Sequence, residues 1–146
     1  EKVATMFMGE FSCKVDNKGR LMLPVKFREQ LGEAEFVITR GLDNCIDLFP
    51  IEEWDKISRK LEELKTTKSS HRAYKRFILS GATNLTLDSQ GRLNLPSHLL
   101  EHAKITKNAA VMGSDNHIEI WSEESWNDYI NEKSGIIEDI VDEIDF

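Results

Sequence analysis

The sequence predicts an α+β fold in which two related hairpin-and-helix units are arranged about a pseudo-twofold axis. Three observations lead there. The chain has 146 residues, 40% hydrophobic and 31% charged with three prolines, which is the size and composition of one compact domain able to bury a core without disulfides. It also repeats itself: a shift of 72 residues lays VDNKGRLMLP (15–24) on LDSQGRLNLP (87–96). Over residues 9–54, without a gap, 14 of 46 positions match the residue 72 further on, where average residue usage gives about three. Finally, the unit is long and occurs only twice. Solenoids stack three or more short units, so two copies point to a twofold domain instead.

Each copy reads as hairpin, helix, hairpin, helix. Alternation predicts a first strand at 11–15 and at 84–87. The turn that follows is written by Asp16 and Gly19, and again by Asp88 and Gly91: aspartate accepts backbone N–H groups, and glycine takes the positive φ that the loop needs. A short strand then runs through Leu23 or Leu95, and Pro24 or Pro96 opens a helix at its first turn. A second hairpin is expected from 36–39 with 45–49, and from 109–112 with 117–121, each with Gly-x-Asp-Asn at the tip. A further helix carries Trp54 or Trp126; these and Trp121 are expected in the core.

Two segments lie outside the repeat. Residues 61–77 read as a helical linker broken near 66–70, ending in the basic run HRAYKRF, a solvated face or a supporting phosphate contact. Near the C-terminus, Ile136, Ile137, Ile140, Val141 and Ile144 make one stripe of a helix whose other side is acidic, which is expected to pack on protein. The resulting plan is a first repeat at 6–54, a linker at 55–77, a second repeat at 78–126 and an acidic amphipathic helix at 127–146. Residues 1–5, ahead of Met6, are kept out of the fold argument.

The net charge of −7 is unevenly spread: residues 1–100 carry 16 Lys+Arg against 14 Asp+Glu, and residues 101–146 carry 3 against 12. Lys14, Lys18, Arg20, Lys26 and Arg28 face only Asp16 before Glu29, a basic cluster in an acidic chain. No apolar run approaches membrane-spanning length, and a cytosolic location is expected. Cys13 and Cys45 have no zinc-ligand spacing and read as small apolar strand residues, so no metal or cofactor is expected. His71, His98, His102 and His117 do not recur between the copies and read as surface or packed residues. With no Gly-rich phosphate loop and no Ser/His or Cys/His constellation, an enzyme is not expected.

Asp-x-x-Gly-Arg at 16–20 and 88–92 is by itself good turn chemistry. Two copies about a twofold axis, however, set two arginines in equivalent places, where they can address one surface of a ligand. Arginine's planar fork suits phosphate oxygens or the O6/N7 edge of guanine.

At these residues, and through MFMGEF, FVITRGLDNC, FILSGAT and IEIW, the chain closely resembles the MraZ family of bacterial transcriptional regulators, related to the AbrB-like swapped-hairpin DNA-binding fold. The resemblance runs over almost the whole chain from Met6. It implies a swapped-hairpin β-barrel surrounded by helices, in a cytoplasmic, nucleoid-associated protein that forms a homo-oligomeric ring. It further implies binding to double-stranded DNA, at short direct repeats in the promoter of the protein's own division and cell-wall gene cluster. Carried onto this chain, it puts Lys18 and Arg20 at the DNA with Asp16 orienting the loop, and Arg92 there with Asp88. Lys14 and Arg28 are added as phosphate contacts from charge and proximity.

The second copy has Gln90 where the first has Lys18, and SHLL (97–100) where the first has VKFR (25–28). A larger phosphate attraction is therefore expected at the first turn, with the second serving mainly as scaffold. The competing reading is an oligomeric scaffold for protein partners without direct DNA contact.

Overall fold

The computed structural model of the chain describes residues 6–146; residues 1–5 lie outside the described residues. The elements run β1 (Glu10–Lys14), β2 (Arg20–Met22), α1 (Val25–Leu31), β3 (Phe36–Arg40), β4 (Ile46–Pro50), α2 (Ile51–Glu62) and α3 (Ser69–Gly81). They continue with β5 (Thr83–Leu85), β6 (Arg92–Asn94), α4 (Ser97–Ala103), β7 (Asn108–Ser114), β8 (His117–Ser122), α5 (Glu123–Ser134) and α6 (Ile137–Glu143). This is an α+β chain with a six-stranded antiparallel sheet in the order β1-β7-β8-β4-β3-β5, and a separate antiparallel ribbon of β2 and β6. A single bridge, Val15 to Leu21, ties the sheet edge to the ribbon.

The strand order reads the same from either edge once β1 is matched with β5, β7 with β3 and β8 with β4. The first strand of each repeat pairs with the third strand of the other: β1 with β7, and β5 with β3. The two copies therefore share one sheet and meet at β4 and β8, where Asp47 stands opposite Glu119.

The ladder registers correct one detail of the sequence comparison. Phe36 pairs with Pro50 and Leu85, whereas Ala109 pairs with Ser122 and Cys13. Phe36 thus corresponds to Ala109, an offset of 73, while the strands around it keep 72. One extra residue enters between α4 and β7, and one is lost from the following loop. Gly113 accordingly occupies the place of Arg40 rather than that of Gly41. A Cβ there would collide with the backbone of Phe7 and Met8.

Strand alternation divides the sheet into two faces. One carries Phe36, Ile38, Ile46, Leu48, Ile118 and Ile120, all fully buried beneath Leu21 and Leu93 of the ribbon, Phe27 of α1 and Leu99 of α4. Burying each such side chain contributes about 1.5–3 kcal/mol, so the ribbon is held down from its underside. The other face supports α2, α3 and α5. Thr39 Oγ1 donates to Ile78 O (2.6 Å), Phe49 meets Trp54, and Trp121 packs on Trp126 and Tyr129. Trp121 is buried, and Trp54 and Trp126 are half-buried.

Three elements differ from expectation. Pro24 and Pro96 sit one residue before their helices, in extended conformation as N-caps. The Trp-bearing helices α2 and α5 are each 12 residues long and run past positions 54 and 126. The apolar stripe near the C-terminus forms a separate seven-residue helix, α6, none of it buried; Ile136, Ile137, Val141 and Ile144, in it and at its ends, stay exposed among the described residues.

Candidate nucleic-acid interface

The two Asp-x-x-Gly-Arg turns are the same structure built twice. Asp16 Oδ1 accepts the backbone N–H groups of Lys18 and Arg20 (both 2.9 Å), and its Oδ2 accepts Arg20 Nε (2.8 Å). Asp88 Oδ1 accepts those of Gln90 and Arg92 (both 2.9 Å), and its Oδ2 accepts Arg92 Nε (2.9 Å). Gly19 and Gly91 donate backward to the aspartate carbonyls at φ +77° and +79°. The backbone N–H of Arg20, and after it the guanidinium, holds the Asp16 carboxyl below the ordinary carboxylate range; Arg92 does the same for Asp88. Each aspartate thus fixes both the turn and the arginine fork. Among the described residues the pairing uses only Nε of each guanidinium, which leaves the terminal Nη donors for an outside acceptor.

The turns are joined by the ribbon. Arg20 stands opposite Asn94, Leu21 opposite Leu93 and Met22 opposite Arg92. Because Leu21 and Leu93 point into the core, alternation turns Arg20, Met22, Arg92 and Asn94 to the outer face. The two arginines are diagonal neighbours across the ladder, about 7–8 Å apart at their bases. Met22 and Asn94 are exposed, and Arg20 and Arg92 are 28% and 24% exposed at their side chains. A two-stranded ribbon is one of the shapes that the major groove of B-DNA admits, and arginine and asparagine are the side chains that read guanine and adenine edges there.

Arg28 belongs to the second turn, not the first. Its Nε donates to Leu23 O (2.9 Å), and its side chain lies over Gly91, where a Cβ would stand 2.6 Å from Arg28 Cδ. The equivalent place over Gly19 is taken by Leu100 of α4 and the carbonyl of Leu95. Lys18 is exposed in the first turn, next to the ribbon. Lys14 is not gathered with the others: it shares the β1 face of Ser12, whose hydroxyl donates to Glu123 at the start of α5. In the run 71–77, Arg72 is bound to Thr66 O and His71 accepts from the backbone N–H of Lys65.

Sequence reading did not anticipate Asn94 and Met22; the signal was there, since both are two residues from an arginine on a strand whose central leucine is buried. Nor did it anticipate a second polar centre, on the opposite face of the sheet. There Asp47, His117 and Glu119 converge, their ligating atoms within 4.8 Å of one another. His117 Nε2 is 2.9 Å from Glu119 Oε2 and 3.8 Å from Asp47 Oδ1. Burial pushes Asp47 up to about 6, and the His117 hydrogen bond holds Glu119 down. For His117, burial acts downward, but the Glu119 hydrogen bond and the Asp47 charge outweigh it and raise the imidazole. Burial likewise raises the thiols of Cys45 and Cys13, the latter to about 11, so neither is a ready thiolate at neutral pH.

A family profile described as "MraZ protein, putative antitoxin-like" matches this chain twice, over residues 6–77 and 78–141. A protein of Natranaerobius thermophilus named "Transcriptional regulator MraZ" is 48% identical over 139 residues, spanning 95% of this chain and 96% of its own length. One of the same name from Caldanaerobacter subterraneus subsp. tengcongensis is 45% identical over 140 residues, 96% of this chain and 97% of its own.

Proposed function

We propose that this chain, which belongs to the MraZ family, is a DNA-binding transcriptional regulator that reads double-stranded DNA through the β2–β6 ribbon and its two Asp-x-x-Gly-Arg turns. The observation that carries the reading is the ribbon's outer face, where two arginines, each fixed by an aspartate, flank Met22 and Asn94. Arg20 and Arg92 act as base or phosphate forks, Lys18 and Arg28 as phosphate contacts, and Asp16, Gly19, Asp88 and Gly91 hold the loops. Lys14 contributes at most from the flank, since its strand face looks towards α5.

One bidentate arginine is worth about 1–3 kcal/mol, and nanomolar affinity needs about 12 kcal/mol. The difference is supplied by multivalency: several chains in a ring, each engaging one of a set of direct repeats at helical-turn spacing. The uncovered apolar side of α6 supports association between copies. The exchange of first strands between the repeats, together with the double profile match, supports a swapped-hairpin, AbrB-like reading of the β core. In this reading the protein acts in the cytoplasm at the nucleoid, on the promoter of its own division and cell-wall gene cluster.

Fluorescence anisotropy across a salt series, on the DNA upstream of the protein's own gene and on a scrambled duplex, tests the proposal. Preferential binding that weakens as salt rises is expected. Weak binding, equal on both duplexes, would instead favour a scaffold that meets protein partners through α6.

A further inference from the structure

We propose that Asp47, His117 and Glu119 bind a divalent transition-metal ion of the zinc class, which clamps the two repeats together on the sheet face opposite the ribbon. The ligands come from the two strands where the repeats meet. Asp47 on β4 stands directly opposite Glu119 on β8, and His117 lies two residues before Glu119, on the same face. Zinc bonds of about 2.0–2.2 Å to nitrogen and oxygen set tetrahedral ligand atoms about 3.4 Å apart. The separations of 2.9 Å and 3.8 Å from His117 Nε2 to the two carboxylates bracket that value, and all three ligand atoms lie within 4.8 Å of one another, so side-chain adjustment without backbone movement would close the site.

Each ligand is already aimed by an outer partner, as metal ligands characteristically are. His117 Nδ1 is hydrogen-bonded to Asn116 Oδ1 (2.9 Å), whose Nδ2 in turn donates to Glu53 Oε1 on α2, and the imidazole stacks on Phe49. With Asn116 oriented in this way, Nδ1 donates to Asn116 Oδ1 while Nε2 donates to Glu119 Oε2, so a cation bound here takes the place of the Nε2 proton. Glu119 Oε1 accepts from Trp121 Nε1 (3.0 Å), and the Cys45 thiol, 3% exposed, points at Asp47 Oδ1 from 3.6 Å. Two carboxylates directly opposite one another on neighbouring strands repel, and these are only about one-fifth exposed. A divalent cation bound to Nε2 and both oxygens removes that repulsion. Glu119 also lines a cleft of about 480 Å³ that carries Glu10 and Asp43, an acidic route of entry.

The test uses the full chain after chelator treatment, with Zn²⁺ alone added by calorimetric titration and its effect on melting recorded. Saturable binding of one Zn²⁺ per chain with a raised melting temperature is expected. His117→Ala and the near-isosteric Glu119→Gln should each weaken binding by at least about tenfold, whereas His71→Ala should leave it unchanged. Circular dichroism of the metal-free variants separates loss of a ligand from loss of fold. Failure of the wild type to saturate at one ion per chain would overturn the site. So would undiminished binding in a folded Glu119→Gln variant, which would mark the metal as adventitious on the acidic surface. Neither result bears on DNA binding, which uses the other face.

Discussion

At the first turn, the place beside Gly19 is filled by Leu100 and the Leu95 carbonyl; at the second, the same place beside Gly91 is filled by the side chain of Arg28. Each filler comes from the other repeat, because the helix that follows each ribbon strand crosses to its neighbour's turn. The motif that looks electrostatically poor in sequence, with Gln90 for Lys18, therefore borrows a cation from the richer one. The charge presented by a turn is a property of the assembled pair of repeats rather than of its own ten residues. This narrows the expected asymmetry: the two arginines stand in matching geometry, and the remaining difference falls on Lys18.

The comparison can be broken most forcefully by removing both forks. The double variant Arg20→Ala/Arg92→Ala should lose about 2–6 kcal/mol of specific binding per chain, ending discrimination between promoter and scrambled DNA in anisotropy. Next come the glycines. Both substitutions force an L-residue into the left-handed region, at about 1–2 kcal/mol. At Gly19, however, the new Cβ stands 2.8 Å from the Leu95 carbonyl, which is backbone, while at Gly91 it meets a side chain that can swing away. Thermal melting should therefore show Gly19→Ala to be the more destabilising. Gly91→Ala should act mainly by dislodging Arg28.

Smaller effects sharpen the difference in charge. Lys18→Gln and Arg28→Leu should each reduce the dependence of log affinity on log salt by about one unit, and Gln90→Lys should raise it by about one. A flat response to Arg28→Leu would leave that residue as packing for Gly91 alone. The smallest effect is with pH. Asp16 and Asp88 are held below their ordinary value of 3.8 by the backbone N–H groups of Arg20 and Arg92. Their contribution to the turns is complete above that value and is lost as pH falls through the lower, folded one. Amide shifts of Lys18 and Gln90 in NMR should thus stay constant from neutral pH down to about 5 and move only in strong acid.

The turns were legible because Asp, Gly and Arg each carry a local instruction, and the structure repeats that instruction bond for bond in both copies. Strand pairing was not: β1 finds its partner about 100 residues away on β7, and no local pattern encodes which edge it joins. The one-residue slip at β7 escaped because the identities at Gly41/Gly113, Asp43/Asp115 and Asn44/Asn116 favour an ungapped match, although the ladders demand otherwise. Lys14 and Arg28 are near the first turn in sequence, not in placement. Strand alternation turns the first away, and helix crossing carries the second to the other turn. The cluster of Asp47, His117 and Glu119 was hidden because its members meet only when the two repeats do.

The most direct measurement compares Arg20→Ala with Arg92→Ala on the same duplex of direct repeats, by anisotropy at fixed salt. If the ribbon is one DNA-facing surface, each single variant loses affinity by a similar amount, about 1–3 kcal/mol per engaged chain. Wild-type affinity in either variant would contradict the account, reducing that turn to a support for its neighbour.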